Sequence, residues 1–343
     1  MLLSDAVDQY QADRRAKGYK PNTVRSDGNT LRSFLSVLGN IQVSSLAQRH
    51  MDRYWSAKAG SAPATFNRAR AQLSTFFKWC QVRGHLPRDV DLLEGTRKRR
   101  VPSTVRYVIP VDRFGEVLDA ADNGRDRAIL ALGLYLFTRI SETANIQWRD
   151  IDFSQKTVVV YRSKTETGDV LPMCQELEGE LRNWRLAYSA YVGEVVRPEW
   201  YVTPPFSTPR WTGKEGGGFT LVEAGRLLPT RRMVVATRPI KRVLAKLGVD
   251  DRYEGGHTLR RAGAIALYHQ LSSVGHDRAI RMCQAMLGHS SIQSTEIYLN
   301  LDLDRKARND LIAGKKMFPE VAPGVVLELG VVDGQESDRE LRV

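Results

Sequence analysis

Gly255-Gly256-His257-Thr258-Leu259-Arg260, continued by Leu287-Gly288-His289-Ser290-Ser291 and closed by Tyr298, is the stretch on which the reading turns. After the two glycines, the run from Thr258 to Leu271 is apolar or small almost all round a helical projection, which predicts a helix buried on most sides. Arg260 lies inside it. A guanidinium at the edge of a core is costly unless an anion meets it, and its planar fork suits carboxylate or phosphate oxygens. No acidic residue stands one turn away. His257, three residues earlier, shares the helical face of Arg260, so an imidazole and a guanidinium address one volume of space, as a phosphate site would require. Gly288 is expected to end a helix from Met282 to Leu287 and present His289. The following helix carries Tyr298 about two and a half turns later, which adds a proton donor and a nucleophile.

Each group alone has an ordinary structural reading: a capping histidine, a packed tyrosine, an internal salt bridge. Together, in this order and spacing, they resemble the C-terminal box of the tyrosine site-specific recombinases, the phage integrase family. There the segment reads His-x-x-Arg, then Leu-Gly-His, then Tyr nine residues after the His, matched here by His257, Arg260, His289 and Tyr298. A second segment carries the same resemblance. The apolar helix expected from Arg127 to Phe137 runs into Thr138-Arg139-Ile140-Ser141-Glu142, where Ser141 is expected to cap a short helix through Gln147. Arg139 is then a second semi-buried guanidinium in need of an anion. Glu142 is its internal candidate, whereas the family carries the same Arg-Ile-Ser-Glu phrase with the arginine on the reacting phosphate. Trp148 to Phe153 also follows as in the family. Lys156 to Tyr161 and Asp169 to Met173 read as a hairpin around Thr165 to Gly168. The resemblance implies a catalytic lysine at this turn, Lys164 rather than Lys156.

Lys plus Arg number 51 against 39 for Asp plus Glu, a formal charge of +12, which points to a polyanionic partner or to simple solubility. Placement favours the first. Four short helices are expected before residue 95, the first capped by Ser4 and ended by Gly18, the second and fourth opened by Pro21 and Pro63. Arg14, Arg15, Lys17, Lys20, Arg25, Arg32, Arg68, Arg70, Lys78 and Arg83 surround their apolar stripes. The arrangement looks like the family's N-terminal core-binding domain, a helical half-clamp on DNA. Thr96 to Pro102 reads as a flexible cationic connector that also touches phosphate. Cys80, Cys174 and Cys283 stand far apart, with neither a disulfide framework nor a metal spacing, and fit a reducing cytoplasm. The run Ala128 to Phe137 is too short to span a bilayer, and the first five residues lack the basic start of a signal peptide, so no membrane association is expected.

The expected fold is mainly α with a small β-hairpin or sheet, a two-domain DNA clamp. A helical core-binding domain spans 1–95, a basic linker 96–107 and a catalytic domain 108–314. A tail, 315–343, is expected to carry a strand around Val325 to Val332 that joins a sheet edge either in its own protomer or, by exchange, in a neighbouring one. The arm-binding module of the larger integrases is expected to be missing ahead of Met1. The resemblance implies metal-independent and cofactor-free cutting and rejoining of double-stranded DNA at attachment sites, through a 3′-phosphotyrosyl link on Tyr298. Arg139, Lys164, His257, Arg260 and His289 would serve that reaction, in a homo-tetramer that DNA-bending or directionality accessory proteins could join. An integrase of a phage or mobile element is preferred. The alternatives are a host-type dimer-resolving recombinase, a topoisomerase-like strand transferase and a non-enzymatic basic regulator; a metal-dependent nuclease would need clustered carboxylates. Residues 197–237 suggest only loops or a lid.

Overall fold

The computed structural model of the chain describes residues 1–102, 106–162, 166–213, 219–223, 225–234, 237–249 and 254–299. They fall into two compact units, Met1–Val105 and the chain from Arg106 onward. Lys164 and the tail with its expected strand lie outside the described residues.

The first unit holds α1 (Leu3–Ala16), α2 (Pro21–Leu38), α3 (Gln48–Ala57) and α4 (Pro63–Val82). Pro21 and Pro63 occupy the first helical position, where a missing N–H costs nothing and the fixed φ suits the helix. Ser4 is not the cap of α1. The helix starts one residue before it, because Leu2 pairs with Gln42, Leu3 N–H bonds the Ile41 carbonyl at 2.8 Å and Ser4 N–H bonds Asn40 Oδ1 at 2.9 Å. The free N–H groups are thus met by the connection after α2. Tyr10, Leu31, Phe34, Tyr54, Leu73 and Phe76 form the core. Of the basic residues expected to face outward, Arg14 turns in onto the buried Asp27 at 2.9 Å, and Lys17 and Arg83 both pair with Asp13.

The basic run is not a free connector where it leaves this unit. Asn67 brackets the Arg99 backbone, donating to its carbonyl and accepting from its N–H, both at 2.8 Å. The Arg99 guanidinium bonds the carbonyls of Ala59 and Ser61 at 3.0 Å and lies 3.9 Å over the Phe66 ring, while Arg70 bonds the Thr96 carbonyl. Carbonyls left open after α3 need donors, and the arginine satisfies them.

The second unit begins with α5 (Phe114–Asp119), α6 (Gly124–Tyr135) and α7 (Ile140–Thr143). Then come β1 (Ile151–Asp152), β2 (Thr157–Arg162) and β3 (Thr167–Pro172), an antiparallel sheet in that order. After α8 (Gln175–Val192), the stretch expected to be loops contains an antiparallel hairpin, β4 (Arg210–Gly213) with β5 (Phe219–Glu223). It ends with α9 (Thr237–Lys246), α10 (Gly256–Gln270), α11 (His276–Leu287) and α12 (Ile292–Leu299). Helix α11 thus starts six residues before the expected Met282. The fold is mainly α with small β elements, and no described helix is long and apolar enough to cross a membrane.

Helix α6 is buried on nearly every side, with Asn123 Oδ1 capping it through the Asp126 N–H. It packs on α8 and α10. The crossing with α10 is close: a Cβ at Gly263 would collide with the Leu134 carbonyl oxygen and the Phe137 ring. Phe137 then takes φ 53°, a left-handed conformation costly for a bulky residue. That turn aims its carbonyl at α10 and its ring into a cluster with Ala264, Ile280, Leu287 and Leu299. Ser141 caps nothing. Arg139 holds the N-cap position of α7, whose first turn is closed by Glu142 instead, a longer side chain able to reach back to the Arg139 N–H.

Candidate active site

Arg260 is the most deeply placed of the expected site residues, 1% exposed. It projects from the buried face of α10 and donates to the carbonyls of Phe137 and Leu287. Those bonds, with Glu142 Oε2 at 3.6 Å, stabilise a charge that the apolar surroundings would otherwise expel. Burial first, and then the Arg139 charge, bring its pKa down to about 10, so it remains a cation at neutral pH.

Arg139 stands where α6 gives way to α7. Its backbone N–H and its guanidinium are both taken by the Glu142 carboxylate, at 2.7 and 2.6 Å. Glu142 is 1% exposed and also accepts from Arg162 at 3.1 Å. Three guanidiniums therefore gather at one buried carboxylate, and since Asp169 also pairs with Arg162, one positive charge stays in excess beside the cleft. An anion fits there. Arg139, Ser141, Arg232, Thr237, His257 and Arg260 line one cleft of about 400 Å3 over this cluster.

His257 lies in the first turn of α10, at the mouth of that cleft. The helix start is fixed beneath it: Thr258 Oγ1 accepts from the Gly255 N–H at 2.8 Å and donates to the buried Glu254, which also holds Arg261 at 2.8 Å. The imidazole is crowded by protein on one side. That desolvation, and then the Arg260, Arg139 and Arg261 charges, hold its pKa below the usual histidine range, so it is a neutral proton acceptor at pH 7.

Gly288, at φ 58°, ends α11 in the left-handed conformation that glycine adopts without strain. His289 follows, its Nδ1 3.1 Å from the buried Thr295 Oγ1 of α12. Tyr298 lies on the same helix. Its ring meets that of His289 edge-on, 5.3 Å between centroids, and Arg260 Cζ is 5.9 Å from the phenol ring. The Tyr298 hydroxyl donates to the backbone carbonyl of His257 at 3.2 Å. Burial pushes the phenol pKa up to about 12 despite the opposing pull of Arg260 and Arg261.

The structure thus brings Arg139, His257 and Arg260 to one cleft, with Tyr298 bonded to the His257 carbonyl beside it and His289 against the Tyr298 ring. Lys164 lies outside the described residues. Sequence reasoning treated Glu142 only as a candidate partner of Arg139 and overlooked Arg162. A signal for the latter existed: Arg162 has the same strand parity as Val158 and Val160, which face the core, and a charge at such a position demands partners.

Known proteins resemble this chain in sequence and in fold. The model of the phage integrase family matches residues 109–198. The tyrosine recombinase XerC of Mycobacterium sp. (strain JLS) is 27% identical over 317 residues, covering 88% of this chain and 94% of that protein. XerC of Xanthomonas campestris pv. campestris (strain B100) is 25% identical over 304 residues, 87% of this chain and 83% of that protein. In fold, the chain resembles lambda integrase (75-356), solved as a dimer bound to a COC' core site. The TM-score is 0.63 at 16% identity, over 94% of this chain and 100% of that one. It also resembles the Tn1549 transposon integrase in complex with a circular intermediate DNA, with TM-score 0.58 at 14% identity over 89% and 99% of the two chains. The chain is thus similar, along most of its length, to tyrosine recombinases, enzymes that break and rejoin DNA strands.

Proposed function

We propose that this chain recombines two specific duplex sites through a 3′-phosphotyrosyl link on Tyr298, as the integrase of a phage or mobile element. The placement of Tyr298 against His257, Arg260 and His289, beside the cleft that Arg139, His257 and Arg260 line, is the observation that carries the reading. Arg139 and Arg260 clamp the non-bridging oxygens of the scissile phosphate, with His289 donating a further hydrogen bond. The Tyr298 oxygen attacks phosphorus in line as its proton passes to the His257 imidazole, and the 5′-oxygen leaves with a proton from Lys164. The phosphotyrosine conserves the bond energy. A 5′-hydroxyl from the other duplex then displaces Tyr298, which regains its proton, and the strands are exchanged. The guanidiniums supply the charge stabilisation that a metal would otherwise give, so cleavage is expected to persist in chelator. The working unit is a homo-tetramer on paired attachment sites in the cytoplasm, with accessory DNA-bending or directionality proteins and with the tail passed between protomers.

The test is a nicked suicide substrate, which should trap a covalent adduct with the wild type and none with Tyr298→Phe. An adduct of normal yield in that variant would overturn the assignment. The similarity to XerC proteins over most of both chains supports a second reading, host-type dimer resolution. DNA flanking the gene separates the two: a short repeat shared with a host insertion point favours integration, and its absence together with resolution of tandem sites favours the second.

A further inference from the structure

Arg162 ends β2 on the strand's buried face and is 2% exposed. A residue needed there only for packing would be apolar, as Val158 and Val160 are, since a buried ion pair gives a fold little that a hydrocarbon would not. The guanidinium instead reaches three separate elements. Its Nε bonds Asp169 Oδ2 of β3 at 2.8 Å, one terminal nitrogen bonds Glu142 Oε2 of α7 at 3.1 Å, and the other bonds the Met286 carbonyl of α11 at 2.7 Å.

The third bond concerns the turn that presents His289. Helix α11 ends at Leu287, and its last carbonyls lack intrahelical donors and carry the negative end of the helix dipole. Arg162 takes the Met286 carbonyl and Arg260 takes that of Leu287, so two guanidiniums cap consecutive residues. The Arg162 side chain also lies flat against Gly288: a Cβ there would stand 2.9 Å from its Nε and 3.1 Å from its Cζ. Two properties of Gly288 are therefore required at once, its left-handed φ and its lack of a side chain facing Arg162. The next residue is His289.

We propose that Arg162 is a positioning residue for strand cleavage, fixing the exit of the chain from α11 and hence the place of His289 over the phosphate. The inference rests on the reading that His289 acts on the scissile phosphate. Arg162 itself never touches DNA. Its anchorage to Glu142, which Arg139 also holds, keeps the His289 turn in register with the arginine clamp.

The test is a double-mutant cycle with Arg162→Lys and His289→Ala. Lys keeps the charge but lacks the rigid fork that reaches three acceptors together. Half-site affinity, thermal melting and single-turnover adduct formation on a nicked substrate are measured for each protein. Arg162→Lys should keep the wild-type half-site affinity and lose about 10–100-fold in adduct rate, the range usual for residues that orient an active group. In the His289→Ala background the same substitution should cost little more, because the group it positions is already gone. Multiplicative losses, or an undiminished adduct rate in Arg162→Lys, would overturn the proposal. If Arg162→Lys melts at the assay temperature, Asp169→Asn takes its place in the cycle; it weakens one partly exposed anchor of Arg162 and should show a smaller loss with the same non-additivity. Absence of any adduct from the wild type would instead defeat the phosphotyrosyl reading, whereas a wild-type adduct with an additive cycle defeats only the role of Arg162.

Discussion

Glu142 grips Arg139 at both ends of the residue, its two carboxylate oxygens accepting from the backbone N–H and the guanidinium. One buried side chain thereby starts α7, aims the arginine and offsets part of the charge of Arg162 and Arg260. Removing the carboxylate leaves buried guanidiniums facing one another. Glu142→Gln is expected to destabilise the fold by about 3–5 kcal/mol, as breaking a buried ion pair does. Urea titration would read this, and a loss well under about 1 kcal/mol would show that the pair behaves as a solvated one.

His257 supplies a pH signature. Its folded pKa lies below the usual value, so the neutral ring is favoured by folding. That contribution to stability is present above the unfolded value, about 6.5, and is lost as pH falls below it through the folded pKa. NMR titration, with His257→Asn to assign the signal, should place this ring below about 6.5. A phosphate dianion in the cleft should raise it by screening Arg139 and Arg260. A ring titrating above the usual value without phosphate would contradict the crowding and charge described for it.

At the crossing of α6 and α10, Gly263 leaves no space for a methyl group. Gly263→Ala should force the helices apart and cost about 1–3 kcal/mol, the range for an overpacked core, even though alanine is the better helix former. Adduct formation should fall as well, because Arg260 is bonded to Phe137 across that same crossing. A variant as stable and as fast as the wild type would mean the crossing can relax.

The clasp of Asn67 on Arg99 predicts protection from protease. Trypsin should cut slowly after Arg99 in the intact protein, and Asn67→Ala should speed that cut while sparing the rest of the first unit. Equal rates would show the run to be free in both.

Local rules carried the sequence reading a long way. Pro21 and Pro63 mark helix starts whatever lies around them, and the pattern of His257, Arg260, His289 and Tyr298 survives folding because the first two share one helix and the others ride on the turn and helix that follow α11. Most of the misreadings concern groups whose partners come from far along the chain, Ser141 excepted, where its neighbour Glu142 prevails. Ser4 and Ser141 have the chemistry of caps, yet Asn40 and Glu142 reach the open N–H groups first. Arg14 and Arg99 read as exposed charge because Asp27, Asn67 and the carbonyls after α3 are not their sequence neighbours. Arg162 was overlooked because its meaning resides in the end of α11, 124 residues away.

The phenol of Tyr298, engaged with a main-chain oxygen and with a pKa near 12, amounts to a safety catch. Almost no phenolate exists at neutral pH, so electrophilic reagents that label ordinary surface tyrosines through the ionised form find little to attack. Reactivity is deferred until a phosphate arrives among the arginines and a nearby base can take the proton. A cell can therefore hold such a protein in reserve without a loaded nucleophile at large.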